Sequence, residues 1–116
     1  MNPACRHLHA LVAATLIAAV ANVAKADENS VSREAEYLRL HDSALAFAKT
    51  VEVRAERYAG LRAVDMDQVR RLIAQSEQAA QLRQFDAASM HARQAYEMLR
   101  AAITGAVAED KQQRGN

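Results

Sequence analysis

The chain has 116 residues, 15 Lys and Arg against 14 Asp and Glu, and a formal net charge of +1. Near-neutral charge with no basic stripe excludes a nucleic-acid binder that works through phosphate neutralisation. One cysteine and three glycines leave no disulfide framework and no glycine-rich phosphate loop.

The first stretch reads MNPACRHLHALVAATLIAAVANVAKA. Arg6 supplies positive charge, Leu8 to Ala24 is apolar apart from His9, Thr15 and Asn22, and Ala24 and Ala26 bracket Lys25. A basic start, an apolar run and an Ala-x-Ala site describe a secretory signal peptide over residues 1–26, cut after Ala26. The apolar run is slightly short of the roughly 20 residues that cross a bilayer, so no stable membrane anchor is expected after cleavage. The expected location is the periplasm. Cys5, Pro3, His7 and His9 leave with the leader. The remaining 90 residues carry 14 acidic and 13 basic side chains, a net charge of −1. With no disulfide available, helix packing alone has to hold the exported domain.

Residues 27–108 are expected to form one helical domain, because Ala, Gln, Arg, Glu and Leu dominate and have high helix propensity. The first helix is predicted from about Ser32 to Gly60. Tyr37, His41, Ala44, Ala48, Val51, Ala55 and Tyr58 recur every three or four residues, and Leu38, Leu45 and Ala59 widen the stripe. At 1.5 Å per residue this rod spans roughly 42 Å, long enough that it has to break or project beyond its partners.

A second helix is predicted to start at Asp65. Its carboxylate can cap, Gln68 completes a capping box, and Val64 and Val69 stand at hydrophobic-staple positions. Val69, Leu72, Ile73, Ser76, Ala80 and Leu82 form its apolar face, and Asp67 can pair with Arg70 or Arg71. The third helix repeats the device, with Asp86 as cap and Phe85 and Met90 as staple. Ala88, Ala92, Ala95, Leu99, Ala102 and Ile103 line its inner face. Gly105 or fraying ends it, leaving residues 109–116 as a flexible tail. The expected fold is all-α: a small antiparallel three-helix bundle with a long first helix, able to dimerise through the projecting part of that helix.

Catalytic chemistry is absent from the pattern. After the leader no cysteine remains, no serine has a histidine and carboxylate arranged around it, and the acids spread over polar faces as solvated groups. The chain is therefore read as no enzyme, with no required cofactor. His41 and His91 border alanine-rich seams, where a histidine is usually satisfied by a carbonyl or water. The sharper alternative is a soft metal site from His41 and His91 with Met90 or Met98, suited to copper, nickel or zinc. His91 and Met98 lie about 10.5 Å apart along the axis, so such a site needs ligands from another helix or a second subunit. A role at the membrane surface is disfavoured, since the acids nearly cancel the eleven arginines that follow the leader.

Two stretches carry family likenesses. FDAASMHARQAYEMLRAAI resembles the second helix of a tetratricopeptide repeat: Phe85, Ala88 and Ala95 match its turn aromatic and small positions. Arg83 stands where the repeat has its turn glycine, and one hairpin falls short of the three repeats an array needs. LHDSALAFAKT and MHARQAYEMLRA resemble units of the small histidine-rich metal-binding proteins of the bacterial periplasm. That likeness implies metal ligation at His41 and His91. Phe47 and Met98 stand where further histidines belong in that family. The first choice is thus a non-catalytic periplasmic helical protein that binds a protein or peptide partner or associates with itself. Tyr37, Tyr58 and Tyr96 are candidate contacts. The alternative is binding, storage or delivery of a soft transition metal.

Overall fold

The computed structural model describes residues 3–115, with side chains from residue 28 onward. The expected leader and its cut after Ala26 therefore concern side chains outside the described residues. Contacts divide the chain into two units, residues 1–32 and 33–116. The described residues are all-helical, without a strand: α1 is Pro3–Arg54, α2 Ala59–Arg62, α3 Met66–Gln81 and α4 Phe85–Gly115. No helix among the described residues is long and apolar enough to cross a membrane.

Four helices stand where three were expected, because the first rod ends at Arg54 rather than Gly60. Tyr58 is extended (φ −122°, ψ 121°), and the chain re-enters helix as the single turn α2, which contains Gly60. The Arg62 guanidinium closes this corner. Its Nη1 donates to the carbonyls of Ala55 at 3.2 Å and Glu56 at 2.6 Å, satisfying acceptors left open just past the end of α1.

Asp65 caps α3 as its sequence demands, accepting from the Gln68 amide at 3.0 Å. Only half of the capping box forms, because the Gln68 side chain accepts from Arg71 Nη2 at 2.8 Å. Val64 and Val69 join the same apolar cluster. At the other end of α3 the Gln84 amide reaches Ala79 O and the Arg83 amide reaches Ala80 O, both at 2.9 Å. This is a Schellman turn, and its left-handed residue is Arg83, with φ 57°. The Arg83 guanidinium lies 5.7 Å from the centroid of the Phe85 ring.

The second cap is displaced. α4 begins at Phe85, and the Gln84 carbonyl accepts from the Ala88 amide at 2.9 Å. Asp86 sits inside the first turn, where its charge still favours the helix N-terminus. Phe85 is buried and Met90 is 51% exposed, so no staple joins them. α4 continues past Gly105 through Gly115, so the tail read as loose from residue 109 is helical as far as the described residues extend. Asp110 helps hold these turns: it accepts from the Tyr58 hydroxyl at 3.2 Å and pairs with Arg114 Nε at 3.1 Å.

The core is a seam of small side chains. Ala44, Ala88, Ala92, Ala95 and Ser76 are fully or almost fully buried, together with Val51, Val69 and Leu99. Alanines let backbones approach, and the larger residues fill what remains. Ala44, Val51, Leu61, Val69, Leu72, Ile73, Ala95 and Leu99 belong to one cluster; Tyr37, Leu40, Ala79, Phe85, Ala88 and Ala92 belong to a second. Two stacked rings, Phe47 and Tyr96, lie 5.3 Å apart between α1 and α4.

Leu38 and Leu45, expected to widen the buried face, are almost half exposed, whereas Leu40 is buried. They lie roughly 100–120° round the helix from Ala44. The ion pairs show why the buried face lies elsewhere. Glu52 of α1 meets Arg70 of α3 at 3.1 Å, and Glu36 meets Arg93 of α4 at 2.6 Å. α1 is thus flanked on both sides, its buried face is centred between those flanks, and the two leucines fall outside it. Leu82 is likewise exposed, beyond the last turn of α3.

Candidate functional site

The four residues singled out as metal ligands fall in different surroundings. His41 is half-buried where α1 meets α3. Its Nε2 lies 3.4 Å from Glu77 Oε2, and its Nδ1 lies 3.6 Å from Asp42 Oδ1. Proximity is not pairing here: His41 Nε2 is out of line with Glu77 and makes no hydrogen bond among the described residues. The Tyr37 ring sits 5.4 Å away, centroid to centroid. Burial raises the Tyr37 phenol above its ordinary value of 10.0. The neighbouring Ser76 hydroxyl opposes the rise, while the nearby charges of Glu77 and Asp42 add to it.

His91 occupies α4 next to the fully buried Ala92, and its Nδ1 is buried without a hydrogen-bond partner among the described residues. The two histidines are thus the side chains whose buried nitrogens lack a described partner. Among the described residues no group of three or more His, Cys, Asp or Glu is arranged to hold one metal ion.

Met90 and Met98 are brought together in a different place. Both line an open depression of about 840 Å³ along α4, with Leu72 of α3 and Glu36 of α1 among the other described walls. Neither histidine lines it. Leu72 is buried and Met98 partly so, but Met90 stands out in the solvent. Arg93 and Glu36, which pair across the depression's edge, were not foreseen; only their positions on facing helices reveal them.

No protein-family model, curated protein or solved structure matches this chain.

What the arrangement can do follows from its shape. A depression with two flexible thioethers and a leucine, bordered by charged and amide groups, can accept an apolar side chain from outside and adapt to its form. The His41 imidazole has the Glu77 carboxylate beside it, 3.4 Å from Nε2. Of the three tyrosines considered as contacts, Tyr37 and Tyr58 are buried and Tyr96 is stacked on Phe47. All three are therefore core-edge residues in this fold.

Proposed function

We propose that the chain is a non-catalytic helical interaction protein, exported to the periplasm after cleavage at Ala26, that binds a protein or peptide segment through α4. Residues 33–54, α3 and α4 act in this reading as a three-helix bundle whose rigid inner seam holds the outer face of α4 in place. The observation that carries it is Met90. It is 51% exposed in the second turn of α4, within a depression of about 840 Å³ that also contains Met98 and Leu72. An adaptable apolar anchor ringed by polar groups is the composition of a docking surface rather than of a solvated face. A second copy of the chain is the simplest competing occupant.

A photo-crosslinking residue at position 90, with a second at the exposed position 75 as control, tests this in the native compartment. One discrete adduct at position 90, competed by excess wild-type protein and not by Met90→Asp, supports the reading. An adduct of twice the processed mass assigns the surface to self-association. Equal labelling from both positions refutes a specific surface. The processed mass, measured in the same experiment, tests cleavage at Ala26.

A second reading rests on the unpartnered nitrogens of His41 and His91. It holds that one or both imidazoles bind copper, nickel or zinc, as the likeness to the histidine-rich periplasmic proteins implies. Met90 and Met98, the thioethers considered beside them, line a depression that neither histidine lines, so this reading rests on the imidazoles. Titration with each metal, repeated on His41→Ala/His91→Ala, decides it: unchanged stoichiometry in the double variant removes the assignment.

A further inference from the structure

A separate cavity of about 270 Å³ lies where the end of α1, the turn α2 and the last turns of α4 meet. It shares no described lining residue with the α4 depression. Its apolar wall is Leu61, Ile103, Ala106 and Val107, and its rim carries Arg54 and Lys111. We propose that this cavity binds a small amphiphilic carboxylate, with its hydrocarbon part against the apolar wall and its anionic head between Arg54 and Lys111.

Three observations converge on that class of ligand. Of the four wall residues, Leu61 and Ala106 are buried and Ile103 is partly buried, while Val107 is 52% exposed. Most of the wall is therefore a fixed part of the core. The single acid in the lining, Asp110, is already engaged on both oxygens: Tyr58 donates to Oδ1 and Arg114 pairs with Oδ2. Its charge is spent locally, and it also holds Tyr58 and Arg114 in place. Arg54 and Lys111, by contrast, have no acidic partner within 4.0 Å among the described residues. An apolar wall with two uncompensated cations at its mouth complements an apolar anion and repels an apolar cation.

Size narrows the class. A cavity of about 270 Å³ matches a small ligand rather than a long-chain lipid. That admits a short hydrocarbon chain or one aromatic ring. The competing explanation for the cations is that basic residues near helix C-termini complement the macrodipole. That explanation predicts an effect on stability and none on binding.

The test uses the purified chain with octanoate as probe, and octylammonium and octanol as charge controls. Binding is followed by calorimetry and by the methyl resonances of Leu61, Ile103 and Val107. Saturable octanoate binding is expected, with shifts at those methyls and at least ten-fold weaker binding of octylammonium. Arg54→Gln and Lys111→Gln lie on exposed positions, and each is expected to weaken octanoate at least three-fold while circular dichroism stays unchanged. Equal affinity for the two charged probes would overturn the proposal. So would octanoate shifts confined to the exposed Leu38 and Leu45, or unchanged affinity in both variants.

Discussion

The Tyr58 hydroxyl donates to Asp110 across 52 positions of sequence, at 3.2 Å. It is the hydrogen bond that ties the corner after α1 to the C-terminal turns of α4. Asp110 keeps its ion pair with Arg114 whether or not the tyrosine is there. Tyr58→Phe is therefore expected to lose about 1 kcal/mol, the net worth of one hydrogen bond, without unfolding the domain. Hydrogen exchange should quicken at residues 106–112 and stay unchanged around Ala88 and Ala92. Uniform loss of protection over all helices would show that this tie is not local.

The alanine seam makes a prediction of its own. Ala92 is completely buried, and both α1 and α3 contribute to its cluster. A larger side chain has no vacant volume to enter, so Ala92→Leu should destabilise by about 1–3 kcal/mol even though it adds apolar surface. Leu99→Ala should destabilise by about 2–5 kcal/mol through the opposite fault, a cavity at one of the few large side chains in the seam. Urea unfolding of the two variants checks both. A stabilised Ala92→Leu would show that the seam is loosely packed.

Arg83 holds the left-handed position of the turn between α3 and α4, where an L-residue with a Cβ is strained by roughly 1–2 kcal/mol. Its guanidinium recovers part of this by lying over Phe85. Arg83→Gly is expected to raise stability by up to about 1 kcal/mol, since glycine adopts this conformation freely but gives up the ring contact. Arg83→Val should lower stability, because a β-branched residue is the worst fit to positive φ. The order Gly, Arg, Val in thermal midpoint is the expected result, and its reversal would deny the turn geometry.

Local signals proved legible in proportion to how few neighbours they involve. Asp65 caps because its partner amide is three residues away, and nothing distant intervenes. Asp86 matches the same pattern, but the Schellman turn closes at Gln84, so α4 starts earlier and the aspartate falls inside it. The periodicity of α1 is readable, whereas the orientation of its buried face depends on flanking helices, and this is why Leu38 and Leu45 fall outside it. Past the break after Arg54, Arg62 reaches back to two carbonyls, a contact no spacing rule contains. His41 and His91 stood out in the sequence as polar residues on apolar faces, and both have a buried nitrogen with no described partner. Met90 and Met98 were grouped with them by chemistry; the fold groups them instead with Leu72 in a separate depression.

Tyr37 supplies a pH dependence whose sign can be worked out. Burial, the largest influence, raises its phenol above 10.0 in the folded chain. The unfolded tyrosine titrates at its ordinary value, so between the two values the unfolded state has lost a proton that the folded state still holds. Stability then falls as pH rises. The contribution is fully present below pH 10 and is lost progressively as pH climbs through the raised folded value. The comparison that isolates this phenol is with Tyr37→Phe. Wild type should lose more stability than Tyr37→Phe between pH 9 and pH 11, measured by urea unfolding at each pH. Both proteins should show the same slope between pH 7 and pH 9, where neither state of this phenol ionises. Parallel curves across the whole range would mean that the Tyr37 hydroxyl is solvated and that α1 does not press it against Ser76 and Phe85.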